Sequence, residues 1–230
     1  MGFGKDELDL VLVPCGLMIM FAYHLHLLHR YLRCPDTTFI GYENNDKKAW
    51  NKDKDVISAA LTATTSNTSA SIYLATISLT LCSLIGAWIA NSSNNLFQMS
   101  NIIYGDTRPS AISVKYISLL TCFLLAFSCF IQSARHFVHA NYLISHPGNN
   151  SPVENVKLAV IRGGELWALG LRALHFALNL LLWFFGPIPM FVSSVVMVII
   201  LYHQDGNSPP LHQYGSAGSH VLVKRTAQDV

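Results

Sequence analysis

Two sets of oxygen-bearing side chains stand out in a sequence that otherwise offers little chemistry. The first set consists of carboxylates next to long apolar stretches: Asp6, Glu7, Asp9 and Asp106. The second set consists of hydroxyl groups that recur at helical spacing: Tyr73, Thr76, Thr80 and Ser83. Carboxylates concentrate cations at a mouth, and hydroxyl oxygens give cations weak contacts from which they can leave again. Together these side chains are candidates for an ion pathway.

Both sets also have a purely structural interpretation. A carboxylate such as Asp9 at the start of a helix stabilises the helix dipole by about 0.3–1 kcal/mol. Ser and Thr hydroxyls in membrane helices often return hydrogen bonds to their own backbone and let helices approach closely. A second polar stripe lies nearly opposite the first on the same predicted helix: Thr64, Asn67, Ser71, Ser78 and Cys82. We therefore expect this helix to contact protein or water on two sides.

Four nearly uncharged stretches must position these side chains, at 10–29, 55–106, 116–134 and 173–204. Only 12% of the residues are charged, against roughly 25% in soluble domains. A helix rises ~1.5 Å per residue, so about 20 apolar residues cross the ~30 Å hydrocarbon core. The pattern predicts an all-α polytopic membrane protein with four transmembrane helices. The last helix is kinked or broken between Gly186 and Pro189, because proline removes a backbone donor and clashes with the preceding turn.

The four stretches also predict the domain bounds and the orientation of the chain in the membrane. We expect a single transmembrane domain over 1–205 and a flexible C-terminal tail over 206–230, which is rich in Gly, Ser and Pro. Lys and Arg gather in the first and third loops, so these loops are predicted to be cytoplasmic and both termini lumenal or extracellular. At the entry to the last stretch, Glu165, Arg172, His175 and Asn179 share a face that points toward protein or lipid head groups.

Several other functions are not supported by the sequence. The net charge of +2 and the lack of a basic run interleaved with aromatics argue against nucleic acid as a partner. His24, His26 and His29 point away from one another on a helix and do not make a metal site. No nucleophile–base order or phosphate-binding loop indicates an enzyme or a bound cofactor.

Two segments carry a resemblance to a known family. The run at 8–17, Leu-Asp-Leu-Val-Leu-Val-Pro-Cys-Gly-Leu, and the element Trp183-Phe184-Phe185-Gly186-Pro187 resemble the plant membrane family known as domain of unknown function 599. The similarity covers about 8 to 205. It implies the fold and a membrane location, and it implies no activity.

In size and architecture the chain also resembles a small plant protein of the endoplasmic reticulum that acts in defence. That protein assembles as a pentamer around a calcium-permeable, cation-selective pore. The resemblance implies a homopentamer that lies in a lipid bilayer and has no cofactor beyond the permeant Ca²⁺ or other cations. Two alternatives stay open: a membrane scaffold or adaptor without a pore, and a transporter of a small solute or metal.

Overall fold

The computed structural model describes residues 5–34, 38, 40, 44, 54–91, 109–145 and 153–205. Within these ranges the chain forms five α-helices: α1 (Lys5–Arg33), α2 (Lys54–Asn91), α3 (Pro109–Ser145), α4 (Val153–Leu182) and α5 (Pro187–Asp205). Each of the five is long and apolar enough to cross a membrane. The predicted all-α, multi-pass membrane class is confirmed. The predicted tail, 206–230, lies outside the described residues.

The prediction of four transmembrane helices is wrong, because the stretch 173–204 contains parts of two helices, α4 and α5. The last turn of α4 tightens, and Phe185 N–H donates to Leu182 O at 3.1 Å. Gly186 follows with a φ of 141°, a conformation that a residue with a Cβ rarely adopts. Pro187 then starts α5, where its missing N–H and fixed φ suit the first helical position. The predicted break is therefore the turn of a helical hairpin.

Charged residues explain why the sequence did not predict α4, the first helix of this hairpin, as a separate membrane helix. The N-terminal part of α4 contains Glu154, Lys157, Arg162 and Glu165, which interrupt the apolar run on which the prediction relied. The remaining positions of α4 are apolar enough for the helix to qualify as a membrane span. Few charges spread over several turns therefore do not exclude a crossing helix.

From α2 onward, helices that follow one another along the chain pack side by side, whereas α1 packs against α5. Along α2 and α3, contacts join Cys82 to Leu120, Ser71 to Ser133 and, further on, Thr64 to Asn141. Because residue numbers fall on one helix as they rise on the other, α2 and α3 are antiparallel. All five helices contribute to one apolar core: Val13, Cys82, Ile85, Leu119, Phe123, Ala177, Leu180 and Met190.

Glycine lets α4 approach α3 most closely. A Cβ built on Gly170 would lie 2.8 Å from Phe130, and one built on Gly163 would lie 2.9 Å from Phe137. Phe130 and Phe137 are fully buried at these points. A side chain at either glycine would separate the two helices.

The start of α1 and the end of α5 lie at opposite ends of the bundle. Near its start, α1 places Asp9 beside Lys115 and Trp183. Fourteen residues later Tyr23 reaches Asp205, the last residue of α5. The prediction that both termini are lumenal or extracellular rested on four crossings, and it stays a prediction.

Candidate functional site

The first polar stripe of α2 lies on the outside of the chain. We call it the outer face of α2, and all of its members are exposed: Ser58, Thr62, Thr65, Ser66, Ser69, Tyr73, Thr76, Thr80 and Ser83. The four ion-pathway candidates on this helix, of which Tyr73 is 70% exposed, therefore share one uncovered surface. The described helices leave it uncovered except near its start, where Asn141 Nδ2 of α3 donates to Thr65 Oγ1 at 3.3 Å.

On this surface, the hydroxyl protons of Thr76, Thr80 and Ser83 are already used within α2. Thr76 donates to Ile72 O at 2.9 Å, Thr80 to Thr76 O at 2.8 Å, and Ser83 to Leu79 O at 3.0 Å. A hydroxyl has one proton to donate and two lone pairs to accept with. Once the proton points into the helix, each oxygen offers only its lone pairs outward. Such a surface suits a hydrogen-bond donor or a cation better than an anion.

The second polar stripe of α2 faces α3, and we call this contact the inner seam. Ser71 Oγ lies 3.3 Å from Ser133 Oγ, and Ser133 donates to Gly163 O on α4 at 2.8 Å. Thr64 is hydrogen-bonded to Asn141. The prediction that α2 contacts protein on this side is confirmed. Asn67 is the exception in the stripe, because it is exposed and lines a cavity.

Asp9 lies inside the bundle, where it joins two helices and the turn between α4 and α5. Its side chain is only 9% exposed; Oδ2 lies 3.8 Å from Lys115 Nζ. Trp183 Nε1 donates to Asp9 Oδ1 at 3.2 Å, and Lys115 Nζ lies 5.2 Å from the centre of the Trp183 ring. Within one chain this carboxylate therefore binds α1 to α3 and to the α4–α5 turn. The side chains of Asp6 and Glu7, and the whole of Asp106, lie outside the described residues.

A polar network lies toward the other end of the bundle. Asp205 accepts hydrogen bonds from both terminal nitrogens of Arg172, at 3.2 and 3.4 Å, and from Tyr23 Oη at 2.8 Å. The side chains of Arg172 and Asp205 are 17% and 15% exposed. This ion pair joins α4 to α5, and the Tyr23 hydroxyl adds α1. The pair lines a cavity of about 470 Å³ that also has Trp167 and His175 in its wall.

Sequence reasoning found only part of this network. The shared face of Arg172 and His175 was visible from helical spacing, but their partner Asp205 lies 33 residues from Arg172. Tyr23 lies still further away, 182 residues from Asp205. A signal was available in the position of Asp205, a lone carboxylate at the end of an apolar stretch. Within the described ranges, no group of three or more His, Cys, Asp or Glu side chains is placed to hold a metal ion.

Comparison with known proteins gives a family and no named relative. No curated protein and no solved structure matches the chain. The family model described as "Protein of unknown function, DUF599" matches residues 11–210. This match includes the outer face of α2, the inner seam and the Arg172–Asp205 pair. The chain therefore belongs to the DUF599 family of membrane proteins.

Proposed function

We propose that this protein is a homo-oligomeric, cation-selective channel that is permeable to calcium. The observation that carries the proposal is the outer face of α2. It extends over positions 58–83, a rise of roughly 37 Å, which is longer than the ~30 Å hydrocarbon core. A continuous polar surface of this length is better matched to water or to another copy of the chain than to lipid.

The interior of a single chain supports placing the ion path between copies. Apolar side chains from all five helices fill the centre of the described bundle. Polar groups of the inner seam are bonded to one another and to α4. The outer face of α2, unlike the inner seam, then has oxygens available to passing cations, and symmetry repeats it once per subunit.

A resemblance to an individual protein supports a particular oligomeric state and a particular membrane. In size and architecture the chain resembles WeiTsing, a calcium-permeable channel of the plant endoplasmic reticulum that forms pentamers in defence against root pathogens. We propose a pentamer in the endoplasmic-reticulum membrane, with a role in plant defence signalling. The proposed mouth carboxylates are Asp6, Glu7 and Asp106, because the Asp9 carboxylate is engaged by Lys115 and Trp183.

Basic residues suggest how the bundle is oriented. Of the Lys and Arg residues that the structure describes, all except Lys5 and Lys115 lie toward the end where α5 finishes, if the five helices cross in turn. Loops rich in Lys and Arg stay on the cytoplasmic side. We therefore propose that the N-terminus is lumenal and the C-terminus cytoplasmic, which revises the two-lumenal-termini prediction.

Planar-bilayer recording of the purified full-length protein tests the proposal. The wild type is expected to pass Ca²⁺ and other cations in preference to Cl⁻. The triple variant Thr76→Val/Thr80→Val/Ser83→Ala removes three outward oxygens and is expected to lower cation conductance several-fold. Thr121→Val/Ser128→Ala is the matched control, because these exposed α3 hydroxyls are also bonded to their own backbone, at 2.8 and 2.9 Å. A wild type without cation current would contradict the proposal.

A transporter of a small solute is the second candidate. The Arg172–Asp205 pair provides an ionisable site between helices, and the turn at Gly186 interrupts two adjoining apolar helices. Saturable uptake into proteoliposomes that is lost in Asp205→Asn, without cation current, would favour this candidate. Absence of both current and uptake would favour a scaffold or adaptor.

A further inference from the structure

The 470 Å³ cavity has walls that are mostly apolar. Phe137 from α3, Trp167 and Leu171 from α4, and Leu201 from α5 form these walls together with Ile40. Phe137 and Leu201 are buried. The volume lies within the ~300–1,000 Å³ range of small-molecule sites, which are typically apolar with a few placed polar groups.

The polar groups around the cavity come from separate parts of the chain. They are Asn44, Asn67 on α2, Arg172 and His175 on α4, and Gln204 with Asp205 on α5. His175 Nδ1 is buried and has no hydrogen-bond partner among the described residues. Such a nitrogen is costly to leave unpaired, so a bound molecule that pairs with it is stabilised.

The negative charge of Asp205 is balanced by the positive charge of Arg172 at 3.2 Å, and its oxygens accept hydrogen bonds from Arg172 and Tyr23. Arg172 gives two N–H groups to this carboxylate and has others left. The side-chain amides of Asn44, Asn67 and Gln204 add further N–H donors. The cavity is therefore suited to a molecule that carries hydrogen-bond-accepting oxygens at one end.

The position of the cavity favours a lipid as the source of those oxygens. Gln204 and Asp205 are the last two residues of α5, so the polar lining lies where that helix ends. Arg30 and Arg33 in the last turn of α1 lie toward the same end. Basic residues at a helix end attract anionic lipid heads. Asn67 and Gln204 are exposed, so the lining reaches the protein surface.

We propose that this cavity binds one phospholipid of the surrounding leaflet. The phosphate and glycerol oxygens lie against Arg172, His175 and Gln204, and part of one acyl chain lies along Trp167 and Leu171. A second chain stays in the bilayer, since the cavity holds roughly fifteen water-sized groups of ~30 Å³ each. The site goes beyond the proposed ion path, which uses the opposite, outer face of α2.

Native mass spectrometry of the full-length protein tests this site with lysophosphatidylglycerol as the probe. Ala168→Phe places a ring in the cavity, of which Ala168 is a lining residue. Leu169→Phe is the matched control, because its neighbour Leu169 is exposed and is not part of the lining. We expect the wild type and Leu169→Phe to retain one lipid per chain, and Ala168→Phe to bind at least tenfold more weakly.

Three outcomes would overturn the proposal. Ala168→Phe could bind the lysolipid as tightly as Leu169→Phe does. Free glycerol phosphate could bind as tightly as the lysolipid, which would indicate a site for a soluble anion and favour the transporter. Should Ala168→Phe fail to fold, His175→Phe keeps a ring at this position and removes the polar nitrogen. Lysolipid binding to His175→Phe with the affinity of the wild type would then contradict the site.

Discussion

The outer face of α2 and the inner seam contain very similar side chains, but those side chains have different hydrogen-bond partners. Both consist largely of Ser and Thr at helical spacing. In the inner seam, Ser71 contacts Ser133 and Thr64 bonds to Asn141, so polar groups join one helix to the next. On the outer face, Thr76 and Thr80 bond only to carbonyls of their own helix among the described residues. Burial and partner, rather than residue type, decide which stripe holds the chain together.

Asp9 illustrates the same difference among the acidic residues. Its carboxylate contacts Lys115 and Trp183 inside the bundle. The side chains of the inner seam likewise contact α3 inside the bundle. We therefore separate internal polar groups, whose loss is expected to destabilise the fold, from outward ones, whose loss is expected to change the proposed cation conductance. The expected effects on stability decrease from the internal ion pair to the outer face.

Breaking the Asp9–Lys115 pair should have the largest effect. Lys115→Met leaves a buried carboxylate without its cation, which costs about 3–5 kcal/mol of the free energy of unfolding. Reversible unfolding in a mixed SDS titration measures this free energy. Lys157→Met is the control, because Lys157 forms no ion pair with a described residue. The double variant Asp9→Leu/Lys115→Met should recover much of the loss, since it removes both charges. A Lys115→Met protein as stable as the control would show that Asp9 is not held by this pair.

The inner seam should tolerate a larger side chain poorly. Ser71 is fully buried between α2 and α3, so Ser71→Leu overpacks the contact and breaks its hydrogen bond, at a cost of about 1–3 kcal/mol. Ser69→Leu makes the same change on the outer face and should shift stability by no more than about 0.5 kcal/mol. The same SDS titration compares the two. Equal losses of stability in Ser71→Leu and Ser69→Leu would contradict the distinction between the inner seam and the outer face.

Two glycines extend the comparison from polar to apolar contacts. Gly170→Ala places a methyl group about 2.8 Å from the buried Phe130 ring, and the clash should cost about 1 kcal/mol. Gly86 on α2 has nothing within 4 Å of a built Cβ, so Gly86→Ala should stabilise the helix by up to about 1 kcal/mol. Thermal unfolding followed by circular dichroism gives the sign of each change. A stabilising Gly170→Ala would mean that α3 and α4 approach less closely than the structure has them.

The outer face itself should contribute least to the stability of one chain. Thr76→Val/Thr80→Val/Ser83→Ala removes hydroxyls that bond only within α2 among the described residues. We expect the free energy of unfolding of the detergent-solubilised monomer to change by no more than about 0.5 kcal/mol, although cation conductance falls. A loss of several kcal/mol in the monomer would place these hydroxyls among the internal contacts.

Helical periodicity predicted both stripes of α2, and the structure buries one, apart from Asn67, and exposes the other. It could not predict the partner of Asp9, because Lys115 and Trp183 lie far away in sequence and meet only when three helices pack. It also missed α4 as a separate crossing, because charges spread over its first turns break an apolar run without preventing a helix. Local pattern predicts which face is polar, and only packing decides whether that face is covered.

Thiol modification during planar-bilayer recording tests most directly whether the outer face of α2 lines an ion path. Single cysteines are introduced as Thr80→Cys on the outer face and Ser78→Cys in the inner seam. The exposed Cys15 and Cys34 are replaced by Ser. A cationic methanethiosulfonate reagent attacks the thiolate that forms in water. We predict that the reagent irreversibly lowers the current of Thr80→Cys and leaves the current of Ser78→Cys unchanged. An unchanged current in Thr80→Cys, or an equal fall in both, would contradict this prediction.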